Sequence, residues 1–361
     1  MPGVYISYPF CAQKCTYCNF ASGVFPRELE ARYVDTLRAE LQAAVWPWTP
    51  QTVYLGGGTP SLLAPAALAA ILNLVPGKPW REATMEAAPG GLTTDVIRAW
   101  SEAGINRVSL GVQSFVQKEL ARTGRRHTAQ IVEREMGMLR AAGIESINVD
   151  LIAGLPGQTE ASFRESLDWI ERLQPPHVSV YMLEVDEDSR LGRELLGSGV
   201  RYGAADVPSD DAIADYYELA VERLRRCGIE RYEISNFARP GFESRHNLKY
   251  WKREPYLGFG ADAHSFDGES RWSNPETAAA YVAHERVPGR TAADALAEKY
   301  FLGLRLREGV ECDAFENTID RFVLDGLLER AGSRVRLTPR GVLLSNEVFA
   351  GFIEADLPAS K

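Results

Sequence analysis

Cys11, Cys15 and Cys18 stand within eight residues of one another, and the next cysteine is Cys227. Thiolates are soft ligands that suit iron–sulfur clusters and zinc. Four cysteines hold the common iron–sulfur clusters, and four ligands close a structural zinc site. Three thiolates in one short loop would leave one iron of a cluster without a protein ligand. An open position on a metal is where a small molecule binds or reacts. Zinc is the rival reading, with a fourth ligand brought in by the fold from His127, His177, His246, His264 or His284. Cys227 and Cys312 stand singly at element ends and read as structural.

The cysteine loop follows residues 4–8 (VYISY), a β-branched and aromatic run that predicts a strand. Further strands are predicted at 52–55, 83–87, 107–112, 146–152 and 178–183. Amphipathic stretches at 28–45, 65–74, 94–103, 129–142, 160–173 and 210–226 predict helices. Thr94 and Ser209 stand where N-caps belong, and Gly104, Gly143 and Gly228 where helices stop. Six such βα units in a row imply a parallel sheet with right-handed crossovers. A closed eightfold barrel takes ~250 residues, and this series ends near residue 227. The expected fold is therefore α/β, an open partial (βα)6 TIM-like barrel over residues 1–230. Chemistry in such barrels sits on the loops after the strands, which places the three cysteines at the functional mouth. Residues 231–289, rich in glycine and aromatics, are expected to complete the site. Residues 290–361 read as a small helical, winged-helix-like domain, with helices at 291–306 and 315–328, a strand at 334–337 and a helix at 338–352.

The 361 residues are 45% hydrophobic and 25% charged, an ordinary globular composition with room for a real core. Five cysteines, three of them crowded into one loop, do not make a secreted disulfide framework, so a reducing cytoplasm is expected. No apolar run reaches the ~20 residues of a membrane span, and the N-terminus lacks the pattern of a targeting segment. A net charge of −9 weighs against nucleic acid as a partner. The basic runs at 122–126 and 223–226 read as solvated faces.

CxxxCxxC after a first strand, with GGGTP after the second, resembles the radical S-adenosylmethionine (SAM) superfamily. That resemblance implies a [4Fe–4S] cluster on Cys11, Cys15 and Cys18 whose open iron takes the amino and carboxylate groups of SAM. One electron from the cluster would then cleave SAM to a 5′-deoxyadenosyl radical. YLGGGTPSLL (54–63), GINRVSLGVQSF (104–115), GRRH (124–127), NVDLIAGLPGQT (148–159), YEISNFARPG (232–241), SRHNLKYW (244–251) and LGFGADAHSF (257–266) follow in order. Together they resemble the HemW haem chaperone family, relatives of oxygen-independent coproporphyrinogen III oxidase. The resemblance spans nearly the whole chain, including a HemN-type C-terminal domain with LTPRGVLLSNEVFAGF. The oxidases resemble CxxxCxxCxC, whereas Phe20 stands here in the last position. Their N-terminal extension also has no counterpart before residue 4. Both features favour the chaperone family, which implies haem passed to an acceptor protein at the respiratory membrane, and a homodimer. Decarboxylation of coproporphyrinogen III and haem-opening methyl transfer, whose enzymes share HNxxYW, stay open as alternatives.

By the same resemblance, Gly57, Gly58 and Thr59 contact SAM, joined by Tyr5, Tyr17, Glu86, Gln113, Arg125 and Asp150. His264 follows a glycine-rich turn and is assigned to SAM, with haem as its other reading. His246, Asn247, Tyr250 and Trp251 are assigned to haem: imidazole is an axial ligand for haem iron, and Tyr and Trp offer flat faces to a porphyrin. No CxxCH is present, which excludes c-type attachment. Two positions depart from the family pattern: Ala88 replaces an asparagine, and Ser7-Tyr8 replaces His-Ile. Asp150 lies in an otherwise apolar strand, so it is expected to meet a ligand hydroxyl or an arginine, with Arg125 the candidate.

Overall fold

Residues with side chains alternating between apolar and polar build the sheet. Its parallel strands are β1 (Gly3–Tyr8), β2 (Thr52–Gly57), β3 (Glu82–Ala87), β4 (Arg107–Gln113), β5 (Ser146–Ala153) and β6 (His177–Met182). The structure is a computed structural model that describes residues 1–197 and 199–356; the end of the expected C-terminal domain, 357–361, lies outside the described residues. Val4, Ile6, Val53, Leu55, Met85, Val108, Leu110, Val149 and Val178 are buried. A strand's side chains alternate between faces, so these residues share one face of the sheet.

Against it pack α1 (Arg27–Ala43), α2 (Pro65–Leu72), α3 (Thr94–Ala103), α4 (Gln117–Arg122), α5 (Ala129–Ala141) and α6 (Glu160–Leu173). They bury Leu37, Leu41, Ile97, Trp100, Phe163 and Leu167 among others. Then follow α7 (Arg190–Gly197) and α8 (Asp210–Arg226). The N-cap of α3 is Thr93, one residue before the expected Thr94, and its side chain accepts from the Val96 N–H. Ser209 caps α8 as expected, and Gly104, Gly143 and Gly228 take positive φ where the helices stop.

The opposite face is polar. Register places Tyr5, Tyr54, Thr84 and Arg107 in one row, Glu86, Ser109 and Asn148 in the next, and Asp150 beside Ser179. A closed eightfold barrel fills this space with layers of branched apolar side chains. Here the concave interior is lined with hydrogen-bonding groups instead.

Residues after 230 extend the same sheet at both edges. β8 (Asn236–Ala238) runs antiparallel beside β6 and β7 (Glu230–Arg231) antiparallel beside β8, while α9 (Arg245–Trp251) leads to β9 (Tyr256–Phe259), which pairs parallel with β1. β10 (His264–Phe266), β11 (Ser270–Ser273), α10 (Ala278–Val282) and β12 (Thr291–Ala292) follow. The sheet order is β12-β11-β10-β9-β1-β2-β3-β4-β5-β6-β8-β7, so the barrel is open.

The helix expected from residue 291 starts later, as α11 (Ala295–Gly303), because Asp294 accepts the Leu296 and Ala297 N–H groups as N-cap. β13 (Val310–Glu311), α12 (Glu316–Leu324), β14 (Leu328–Ala331), β15 (Arg334–Leu337), α13 (Pro339–Leu343) and α14 (Ser345–Asp356) complete the chain. A small antiparallel sheet ordered β13-β15-β14 packs with these helices, in winged-helix-like order.

Candidate functional site

The cysteine loop springs from the end of β1 and is drawn closed at its neck. The Cys11 N–H donates to the Gly23 carbonyl at 2.8 Å, and the Gly23 N–H to that of Pro9 at 2.9 Å. The turn after β2 is tied to the same neck: Gly58 N–H donates to Tyr8 O and Thr59 N–H to Phe10 O, both at 2.9 Å. A Cβ on Gly58 would lie 2.8 Å from the carbonyl oxygens of Tyr8 and Phe10, so only glycine permits this approach. Gly57 takes φ +103°, again a glycine conformation. The residue type at each turn position is thus set by the closeness of the two loops. From the other side, Leu191 of α7 donates its N–H to Thr16 O at 2.9 Å, and Asn19 Nδ2 to Asp186 Oδ2 at 3.2 Å.

All three loop thiols are free and partly exposed. Burial pushes the Cys11 thiol above its ordinary range, opposed by hydrogen bonds from Thr59 and Ser22. A thiol so placed ionises when a cation takes it. Among the described residues no three His, Cys, Asp or Glu side chains converge as on a single metal ion. The loop thiols nonetheless lie close enough to act on one another's charge, which suits the separate iron corners of a cluster. Cys11, Cys15 and Cys18 would hold such a cluster.

Beside the loop, Arg125 Nε donates to Tyr17 OH at 3.4 Å and its Nη1 to Gly111 O. Its charge also acts on Cys15 and Asp150. Gln113 is held at φ +71°, a strained conformation for a non-glycine residue, and its buried Oε1 has no hydrogen-bond partner among the described residues. Strain together with an unpaired acceptor marks a place for a ligand donor. Of the two partners expected for Asp150, the arginine is not found: its carboxylate accepts from Asn148 Nδ2 at 2.7 Å and Ser109 Oγ at 3.2 Å, and no Arg125–Asp150 ion pair forms among the described residues.

Glu86 sits between these groups and Gly57, with Tyr54 OH donating to it at 2.8 Å. Burial chiefly, and the charge of Asp150, raise its pKa to about 7. The raised value means the folded chain favours the protonated acid, and ionisation opposes folding as pH climbs from the ordinary range through 7. A ligand ammonium group would reverse that cost and bind the ionised form. SAM affinity of the cluster-loaded protein is therefore expected to rise about tenfold between pH 6 and 8, and to be flat with pH in Glu86→Gln. Calorimetric titration at each pH checks this; an equal slope in Glu86→Gln would remove Glu86 from the ligand contacts.

Tyr5 stacks on Tyr54 with ring centroids 6.1 Å apart, inside the same concavity. His264 is exposed at the start of β10, level with Gly258, which pairs with Tyr5. The motif His246, Asn247, Tyr250, Trp251 lies elsewhere, and this corrects the expectation of an imidazole open to haem. Ser244 caps α9, and Glu82 at the start of β3 accepts the backbone N–H groups of Arg245 and His246 at 2.8 and 2.9 Å. That turns His246 inward, fully buried, at the strand starts rather than the strand ends. Its Nδ1 meets Thr52 Oγ1 at 2.9 Å and Lys249 Nζ at 2.8 Å, and its Nε2 meets Tyr250 OH at 2.7 Å. Both ring nitrogens are used. Burial, with the charges of Lys249 and Arg107, holds the ring neutral, and burial lowers Lys249 to about 7.

Several interior residues escaped sequence reading. Asn148 links Ser109, Asp150 and Ser179, while His177 bridges Asn148 at 2.6 Å and Tyr232 OH at 2.9 Å. Their signal was the alternation itself: Arg107, Ser109 and Gln113 of β4, Asn148 and Asp150 of β5, and His177 and Ser179 of β6 recur on one face.

The Radical SAM superfamily model matches residues 5–170, and the HemN C-terminal domain model residues 291–344. The chain is 33% identical to the haem chaperone HemW of Lactococcus lactis, over 98% of this chain and 97% of that protein. It is 37% identical to the haem chaperone HemW of Mycobacterium tuberculosis, over 96% of this chain and 93% of that protein. In fold it is similar to coproporphyrinogen III oxidase (HemN) from Escherichia coli, with a TM-score of 0.83 at 21% identity, covering 97% of this chain and 89% of that one.

Proposed function

The chain belongs to the HemW family, and we propose that it works as a haem chaperone, binding haem and passing it to an acceptor protein. The observation that carries this reading is the likeness, end to end, to curated haem chaperones. The cysteine loop agrees with it, since the position of a further cysteine in the oxidases is held by Phe20, which is 66% exposed.

A [4Fe–4S] cluster held by this loop would supply one-electron chemistry and an iron able to take SAM. The chain's own residues do the rest. Cys11, Cys15 and Cys18 bind the cluster, and the pinned glycine turn brings the backbone of Gly57, Gly58 and Thr59 against the ligand. Glu86 meets its ammonium group; Gln113, Asp150 and Tyr5 offer acceptors and an aromatic wall; Arg125 and Tyr17 steady the loop. The proposed acceptor is a haem protein at the respiratory membrane, met at its surface: no helix among the described residues is long and apolar enough to cross a membrane. A homodimer is the proposed working state, which sedimentation of the reconstituted protein checks.

Anaerobic reconstitution, haem titration with and without SAM, and mixing with an apo-haemoprotein test the function. Stoichiometric haem uptake followed by transfer is expected. Steady formation of protoporphyrinogen from coproporphyrinogen III, with SAM and a reductant, would overturn it in favour of the oxidase.

A further inference from the structure

At the end of the sheet away from the cysteines, a cleft of about 270 Å³ opens between the β9–β11 edge and α11. Its walls are largely aromatic: Trp251, Tyr256, Phe266 and Phe301. Its charged groups are two arginines and one carboxylate. Arg271 is fully engaged, with Nε and Nη2 each donating to Glu298 at 2.8 Å and Nη1 to Tyr256 OH at 3.0 Å. Arg253 donates from Nε to the same carboxylate at 2.9 Å, but its Nη2 is buried and has no hydrogen-bond partner among the described residues. The buried Trp251 Nε1 is likewise unpartnered there. Both guanidinium groups lie over the Phe266 ring, at 5.3 and 4.4 Å.

An unpaired buried donor costs ~1–3 kcal/mol, more when charged. Two cations against one carboxylate also leave this cleft positive in a chain of net charge −9. Charge, flat walls and an idle N–H edge specify the same ligand. We propose that the cleft takes the carboxylate of a flat, apolar acid, with Arg253 donating to it and the aromatic walls covering its body.

The volume lies just below the ~300–1,000 Å³ of small-molecule pockets, so it admits a small acid or the edge of a larger one. Resting on the haem-carrying reading above, the larger acid is haem, entering by a propionate-bearing edge. Tyr256 pairs with Gly3, whereas the cysteines follow Tyr8 at the other end of β1. Six residues of strand separate the two places by roughly 17 Å at ~3.3 Å each. Haem held here is carried out of reach of chemistry at the cluster.

The test pairs three ligands with three proteins. Haem and haem dimethyl ester are titrated by Soret absorbance, and 2-naphthoate by calorimetry, against the full chain, Arg253→Met and Arg253→Lys. Expected are 2-naphthoate binding that Arg253→Met abolishes, ester binding at least tenfold weaker than haem, and equal binding of the two in Arg253→Met. Arg253→Lys should keep part of the preference. If Arg253→Met does not fold, Phe301→Trp fills the cleft and should weaken haem and 2-naphthoate together. Arg253-dependent 2-naphthoate binding with haem and ester bound alike supports the acid site but overturns haem as its source. Haem binding blind to the ester, with no 2-naphthoate bound, overturns the site and leaves the chaperone reading standing. Failure to bind haem at all, with 2-naphthoate retained, overturns the chaperone reading and leaves the site.

Discussion

Alanine at any one of Cys11, Cys15 or Cys18 is expected to bring iron content after anaerobic reconstitution from about four per chain to near none. The loop explains the size of the effect. Its neck is held by the Cys11–Gly23 and Gly23–Pro9 backbone bonds, which survive the substitution, so the loop keeps its path while one corner of the cluster loses its anchor. Two thiolates and an open iron do not retain the metal against chelating buffer. Folding should be nearly untouched, because the thiols are free, partly exposed and bonded to no disulfide partner. Cys227→Ala and Cys312→Ala serve as controls that keep full iron. Cys227 ends α8, and Cys312 sits among Arg330 and Glu316 in the C-terminal domain. A triple Cys11, Cys15, Cys18→Ala protein with full iron and sulfide would place the cluster elsewhere.

That loop was legible because its chemistry is local: three cysteines after one strand need no long-range pairing to be seen. The six central strands were legible for a related reason, since buried parallel strands and amphipathic helices print their periods on the chain. What stayed hidden depends on partners distant in sequence. β9 is four residues long and contains Gly258, too short for a period, yet it pairs with β1 some 250 positions earlier. Asp150 announced itself as a carboxylate in an apolar run, but its partner Ser109 is found only when register aligns β4 with β5. The cleft at Arg253 and Arg271 draws on α9, three strands and α11, and no single stretch of sequence contains it.

His246 shows the same limit from the other side, and replacing it tests the difference. His246→Ala is expected to destabilise the protein by about 3–5 kcal/mol, read as a lower urea midpoint. Removing a fully buried ring leaves a cavity. It also orphans Tyr250 OH, at ~1–3 kcal/mol for a buried group left unpaired, and takes one of two partners from Lys249 Nζ, which keeps Thr52 Oγ1. The Soret maximum and coordination bands of bound haem should not move, because neither imidazole nitrogen is free to reach iron. Haem affinity should fall only modestly, as Tyr250 loses one tether beside the aromatic cleft. The two readouts separate the roles that one histidine can play. A structural residue shifts the urea midpoint and spares the spectrum, whereas an axial ligand does the reverse. A His246→Ala protein with an unchanged midpoint and an altered haem spectrum would show that the helix α9 opens in solution to present its imidazole.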